Sequence, residues 1–101
     1  MRVIWSPLAV ERAYEEARYI AQDKPEAALK WLDGLFKVTD RLARFPKSGR
    51  AVPEIGSETF REVVYRSHRV VYRIEASVVS ILTVRSFAQQ LDHDDLQEST
   101  P

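Results

Sequence analysis

Five arginines fall within residues 61–85: Arg61, Arg66, Arg69, Arg73 and Arg85. Four of them interrupt the stretch FREVVYRSHRVVYRIE, residues 60–75, which is otherwise rich in valine and tyrosine. A guanidinium is planar, permanently charged and presents a fork of donors that fits a carboxylate or a phosphate. Strands place Val, Ile and Tyr on a half-buried face and tolerate arginine on the other. If Arg69 and Arg73 share a strand face and Arg61 sits on the neighbouring strand, three guanidiniums converge on an anion site. Arg66 in the turn and Arg85 at the end of the last strand either join that cluster or point into water. The plainer reading is a solvated face with scattered ion pairs, each of little energetic worth.

Other residue types offer less. His68 precedes Arg69 in a tight connection and His93 lies among Asp92, Asp94 and Asp95; both read as surface residues. HDD is not the spacing of a metal site on any definable element, so none is expected. The chain has no cysteine, which excludes disulfides, thiolate ligands and a cysteine nucleophile and fits a reducing compartment. None of Gly34, Gly49 and Gly56 opens a helix after a strand, so no phosphate loop is present. Ser48 and Ser57 lack the context of a nucleophile elbow. Tyr65, Tyr72, Trp5 and Trp31 read as packing residues. No cofactor is expected.

The positioning elements follow from periodicity. RVIW, residues 2–5, is a strand candidate closed by Ser6 as N-cap and Pro7 as the first helical residue. Val10, Ala13, Ala17, Ile20 and Ala21 recur at helical spacing as far as Asp23. Pro25 opens a second helix whose stripe runs through Ala28, Trp31, Leu32, Leu35, Val38, Leu42 and Phe45. The short break between them predicts an antiparallel helical hairpin. Leu8, Tyr14 and Tyr19 fall off the stripe and offer a docking groove, or scattered exposure. Residues 46–59 form a loop. Residues 60–65, 69–75 and 78–85 are strands. A two-residue turn at Ala76-Ser77 pairs Ile74 with Val79 and Tyr72 with Ile81, giving one apolar face. Ala-Ser is a poor type I′ turn, which needs positive φ at both positions.

The expected fold is therefore α+β: a two-helix antiparallel hairpin on a small, mostly antiparallel sheet, in the order β-α-α-β-β-β. One domain spans residues 1–90, and residues 91–101 form an acidic C-terminal tail with a short helical turn and a frayed end. Net charge is zero, from 15 basic and 15 acidic residues, which argues against general nucleic-acid binding. The distribution is uneven: residues 61–85 carry five arginines against Glu62 and Glu75, a net +3, while residues 86–101 carry four acids and no Lys or Arg. Neither a signal peptide nor a membrane span is evident, so a cytoplasmic location is expected.

Assembled in order, these residues resemble the RelE/ParE superfamily of bacterial toxins. IWSPLAVERAYEEARYIAQDKPEAALKWLDGLF resembles the family's two-helix opening, and FPKSGR, VPE, REV and RVVYRI resemble the motifs of its second half. The likeness covers residues 2–90. It implies a toxin of a type II toxin–antitoxin pair, neutralised by a small ParD-like antitoxin whose C-terminal segment wraps it. RelE-like members cleave messenger RNA on the ribosome with basic sheet residues and a C-terminal Tyr or His. ParE-like members inhibit DNA gyrase by binding. Arg61, Arg69 and Arg85 fall at or near RelE-like basic positions and would be the catalytic set of a ribonuclease. Phe87 stands where that group's acid–base residue is expected, and general acid–base catalysis needs such a residue. The helical region, the loop and VPE are nearer ParE. The resemblance thus implies a ParE-like gyrase inhibitor without catalytic residues, with Arg61, Arg66, Arg69, Arg73, Arg85 and Phe87 as its partner-binding set. A RelE-like endoribonuclease, or a non-toxic antitoxin-binding remnant, is the alternative.

Overall fold

The structure is a computed structural model that describes residues 1–97. Five strands form one sheet in the order β1-β5-β4-β3-β2: β1 is Arg2–Trp5, β2 Arg50–Ala51, β3 Phe60–Tyr65, β4 His68–Glu75 and β5 Val78–Ser86. β1 runs parallel to β5 at one edge, and the other pairings are antiparallel. Helices α1 (Pro7–Ala21) and α2 (Pro25–Asp40) cover one face. The expected β-α-α-β-β-β fold is the fold observed, with β2 as a two-residue edge strand added inside the 46–59 loop.

α1 starts where its capping residue dictates. The Ser6 hydroxyl oxygen accepts from the Ala9 amide at 3.0 Å and its proton goes to the Leu82 carbonyl, also 3.0 Å away. One side chain thus satisfies an orphan helix donor and ties the helix to β5. The buried line on α1 is Ala9, Ala13 and Ala17, while Val10 is 38% exposed. Alanines carry the contact because small side chains let the helix lie close to the sheet. α2 presents Ala28, Trp31 and Leu35 to the same core, each of the two large ones contributing about 2 kcal/mol by burial. The helix stops at Asp40 and a 3₁₀ turn, Arg41–Ala43, carries Leu42 inward. Phe45, expected on the apolar stripe, is beyond that turn and 55% exposed.

β4 and β5 pair as expected, Ile74 with Val79 and Tyr72 with Ile81. Both hairpin turns have positive φ at their first position only, Arg66 at 55° and Ala76 at 51°. Register then shifts by one residue, so that Val71 faces Thr83, Val70 faces Val84 and Arg69 faces Arg85. Leu82 is the extra residue of this bulge. Following helix-side Ile81, it points to the opposite face and joins Val71 and Val52 in a second apolar cluster there. Ile55, Phe60, Leu91 and Leu96 pack around that cluster. Residues 91–96 therefore cross the outer face, with a 3₁₀ turn at His93–Leu96. The helical turn expected there is present; the expected frayed end, residues 98–101, lies outside the described residues.

Gly34 in α2 shows how tightly the helix face is packed. A Cβ there would stand 2.2 Å from the Tyr65 hydroxyl oxygen, which donates to the Trp31 carbonyl at 2.8 Å. Alanine gains about 1 kcal/mol of helix propensity over glycine. Overpacking costs about 1–3 kcal/mol, and loss of the tyrosine bond about 1 kcal/mol more. Gly34→Ala should therefore lower stability by roughly 1–3 kcal/mol, read as an earlier urea midpoint. A later midpoint would show that Tyr65 does not occupy this site.

Candidate functional site: the outer face of the sheet

Strand alternation sorts the arginines. Arg69 and Arg73 alternate with Val70, Tyr72 and Ile74, which pack under the helices, and so stand on the outer face. Arg61 faces Tyr72 across the β3–β4 pair, which puts it on the helix side. Its Nη1 donates to the Gly49 carbonyl at 2.8 Å and reaches the Lys47 carbonyl at 3.5 Å. The three guanidiniums do not converge: Arg61 points away from the other two and braces the 46–50 loop.

Arg69 and Arg85 stand opposite each other on β4 and β5, and each is held by the protein's own carboxylates. The Arg69 Nη1 donates to Glu54 and Glu62, both at 3.1 Å, and its Nη2 makes a short bond to Glu54. Glu62 is buried and also receives Arg50 through Nε at 2.8 Å and Nη2 at 2.7 Å. The hydrogen bond from Arg69 is the main cause that holds the Glu54 carboxyl below its ordinary value, and the same bond raises Arg69.

Arg85 belongs to a second knot. Its Nε donates to both oxygens of Asp95, at 3.1 and 3.0 Å, and its Nη2 to Asp92 at 3.1 Å. Thr83 Oγ1 donates to Asp95 at 2.8 Å, the Asp92 amide at 2.9 Å, and Arg12 of α1 approaches at 3.4 Å. Burial alone would raise the Asp95 carboxyl, but these bonds outweigh it and hold the group below its ordinary value. Asp92 and Asp95 also cap each other's turn reciprocally.

The remaining candidates are more open. Arg73 pairs with Glu75 at 3.3 Å and its guanidinium carbon lies 5.7 Å from the Phe60 ring centroid. Arg66 is exposed at the β3–β4 turn, its guanidinium carbon 5.4 Å from the centroid of Tyr65. Phe87 is 49% exposed just past β5 and its amide donates to the Ser67 carbonyl. Val64, between them on the outer face, is 53% exposed.

His68 is not the surface residue expected. It is buried at the start of β4 on the helix side, its Nε2 2.9 Å from Glu16 Oε1 and its ring edge-on to Trp31 at 5.3 Å. Arg12, Glu15, Glu16, Tyr19 and Gln89 complete a hollow of about 170 Å³ beside it. Tyr72 is likewise on the helix side, accepting from the Gly49 amide and donating to the Pro46 carbonyl, with burial raising its phenol. His93 is exposed and contacts Gln97. His68, Tyr65 and Tyr72 thus share the face opposite Arg69 and Arg85. No group of three or more metal-ligating side chains is assembled among the described residues.

A family model described as the ParE toxin of a type II toxin–antitoxin system, parDE, matches residues 3–91. The chain belongs to the ParE toxin family. Among curated proteins it is 36% identical over 91 residues to "Putative toxin Y4kP" of Sinorhizobium fredii, covering 88% of this chain and 91% of that one. A solved structure titled "Chromosomal ParDE TA system from P. aeruginosa" superposes with a TM-score of 0.73 at 17% identity, covering 85% of this chain and 95% of that chain. The second likeness is one of fold. In this ParE chain no described helix is long and apolar enough to cross a membrane.

Asp95→Asn should destabilise the protein at neutral pH by about 3 kcal/mol, because it leaves Arg12 and Arg85 without their buried counter-charge. The sign of the pH effect follows from the lowered Asp95 value. Its contribution is complete above the unfolded carboxyl value, near 4, and is lost as pH falls through the lower folded value. Denaturant titrations between pH 7 and strong acid should show a shallower acid loss in Asp95→Asn than in the wild type. Equal slopes would remove Asp95 from this role.

Proposed function

We propose that this chain acts as a toxin by binding DNA gyrase and that a cognate antitoxin neutralises it by occupying the outer face. The reading rests above all on the ParE family match across residues 3–91. The geometry is compatible with action by binding. Arg69 and Arg85 are committed to internal carboxylates, and the candidate proton-transfer side chains lie across the sheet from them. Arg66, Arg73, Val64 and Phe87 are the groups a partner meets first. Glu54 and Asp92, the more exposed partners of Arg69 and Arg85, are the carboxylates that an acidic antitoxin segment would displace. Asp95 and Glu62 have no exposed side chain and stay in place.

In a supercoiling assay the purified, folded protein should inhibit gyrase at micromolar concentration, and Arg66→Ala with Phe87→Ala should weaken inhibition without changing the melting temperature. Unchanged supercoiling, together with cleavage of messenger RNA in a translating extract, would replace this reading by the ribonuclease one. Antitoxin affinity should fall as salt rises, because side-chain charges at a partly exposed face are screened. An affinity independent of salt would make the contact mainly apolar.

A further inference from the structure

A second group of exposed cations lies away from the outer face of the sheet. The segment RLARFPKSGR, residues 41–50, places Arg41, Arg44, Lys47 and Arg50 at every third position. All four are exposed. Among the described residues Arg41, Arg44 and Lys47 form no ion pair, and Arg50, although bonded to Glu62, keeps its side chain 60% exposed. The Met1 nitrogen donates to the Ala43 carbonyl at 2.9 Å and ties the start of β1 to this segment.

The segment is held in shape from beneath. The Phe45 amide donates to the Arg41 carbonyl, and the Ser48 amide to the Phe45 carbonyl. Buried Tyr72 bonds Pro46 and Gly49, and Arg61 bonds the Gly49 carbonyl. A surface fixed in this way loses little freedom when a ligand settles on it. Between the cations stands Phe45, 55% exposed. With Pro46, Lys47 and Ser48 it lines an almost wholly apolar hollow of about 410 Å³. Of the carboxylates around it, Asp40 precedes the segment, Glu54 is taken by Arg69, Glu62 is shared by Arg50 and Arg69, and Glu58 shares a hollow with Lys47 and Arg61.

We propose that residues 41–50 bind a single-stranded polynucleotide, with Arg41, Arg44 and Lys47 on successive phosphates and Phe45 stacked on a base. Exposed cations at every third position of the chain, with an exposed ring among them, offer what such a strand calls for: charge for its backbone and a π-face for its bases. An acidic peptide would satisfy the cations and leave Phe45 unused. The proposal is independent of gyrase binding: either activity can fail with the other intact.

The test uses fluorescence anisotropy of the full chain with labelled oligothymidine and oligouridine of about 12 nucleotides, within the usual site sizes, from about 50 mM salt upward, where phosphate contacts are strong. Binding of either or both is expected, and their ratio distinguishes DNA from RNA as the source of the strand. The triple variant Arg41→Ala/Arg44→Ala/Lys47→Ala should flatten the plot of log affinity against log salt by about 2, from roughly 0.7 per lost contact. Phe45→Ala should weaken binding by about 5- to 150-fold while leaving the slope unchanged. Both variants should melt with the wild type, since these side chains are exposed and make no ion pair among the described residues, and Arg18→Ala/Lys30→Ala should bind normally. Failure of both oligonucleotides to bind, or a triple variant indistinguishable from the wild type, would overturn the proposal. So would polyglutamate binding as tightly with Phe45→Ala silent, which would assign the strip to an acidic protein instead.

Discussion

One extra residue in β5 decides which way Arg85 points. Were Leu82 paired regularly with Val71 instead of bulged, the β4–β5 pairing set at Ile74–Val79 and Tyr72–Ile81 would continue through Val70–Thr83, and Arg85 would face the helices. The bulge turns Val84 to the helix core and sends Thr83 and Arg85 to the outer face, where Leu82 already stands. The carbonyl freed at the bulge is taken by the Ser6 hydroxyl, so the irregularity is also what anchors the start of α1. The charged cradle that receives Asp95, built from Thr83 and Arg85, depends on it.

Asp95 and Glu62 have a common design. Each is a fully buried carboxylate shared between two guanidiniums, Arg12 and Arg85 for one, Arg50 and Arg69 for the other. Desolvating such groups costs several kcal/mol per ion, and pairing returns that cost only when the geometry is good. Net stabilisation is therefore a poor explanation for either knot. Positional fixing explains them better. Glu62 joins the β2 edge to β4, and Asp95 joins the C-terminal crossing segment to α1 and β5. A small apolar cluster of Val52, Val71 and Leu82 would by itself allow its two covers to slide. Two charges that must find their partners remove that freedom.

This division explains what was legible in the sequence. Periodicity reports which face a side chain takes, so the helical hairpin, the three-strand meander and the Ile74–Val79 register were all readable. The Ser6–Pro7 helix start was readable because capping is local. The fate of each arginine was less so. Arg61 could have been sorted: a two-residue turn at Arg66-Ser67 pairs it with Tyr72 and hence with the helix face. Arg85 could not, because nothing in VVSILTVR marks a bulge. The partners of Arg69 and Arg85 come from a loop and from the segment after the sheet, and charge pairing at such separations leaves no local signature. His68 was misread for a related reason. A histidine beside a turn suggests exposure, whereas its strand position aims it at Glu16 and Trp31.

The electrostatic consequence separates two basic stretches that look alike in the sequence, residues 41–50 with four cations and no acid and residues 61–85 with a net +3. On the sheet Arg69 and Arg85 are neutralised inside the fold, while Arg41, Arg44 and Lys47 form no ion pair among the described residues. Position relative to the sheet, rather than frequency, separates the two. A cation on a strand face lies within reach of every carboxylate brought over that face. A cation on a turn at the end of a helical hairpin has few neighbours of any kind and remains in water. A partner can engage the first kind only by exchanging one carboxylate for another, which favours an acidic ligand able to replace Glu54 and Asp92. It can engage the second kind directly. A ligand of either surface of this ParE chain would thus be selected by a different physical criterion, competition with an internal anion in one case and simple attraction in the other.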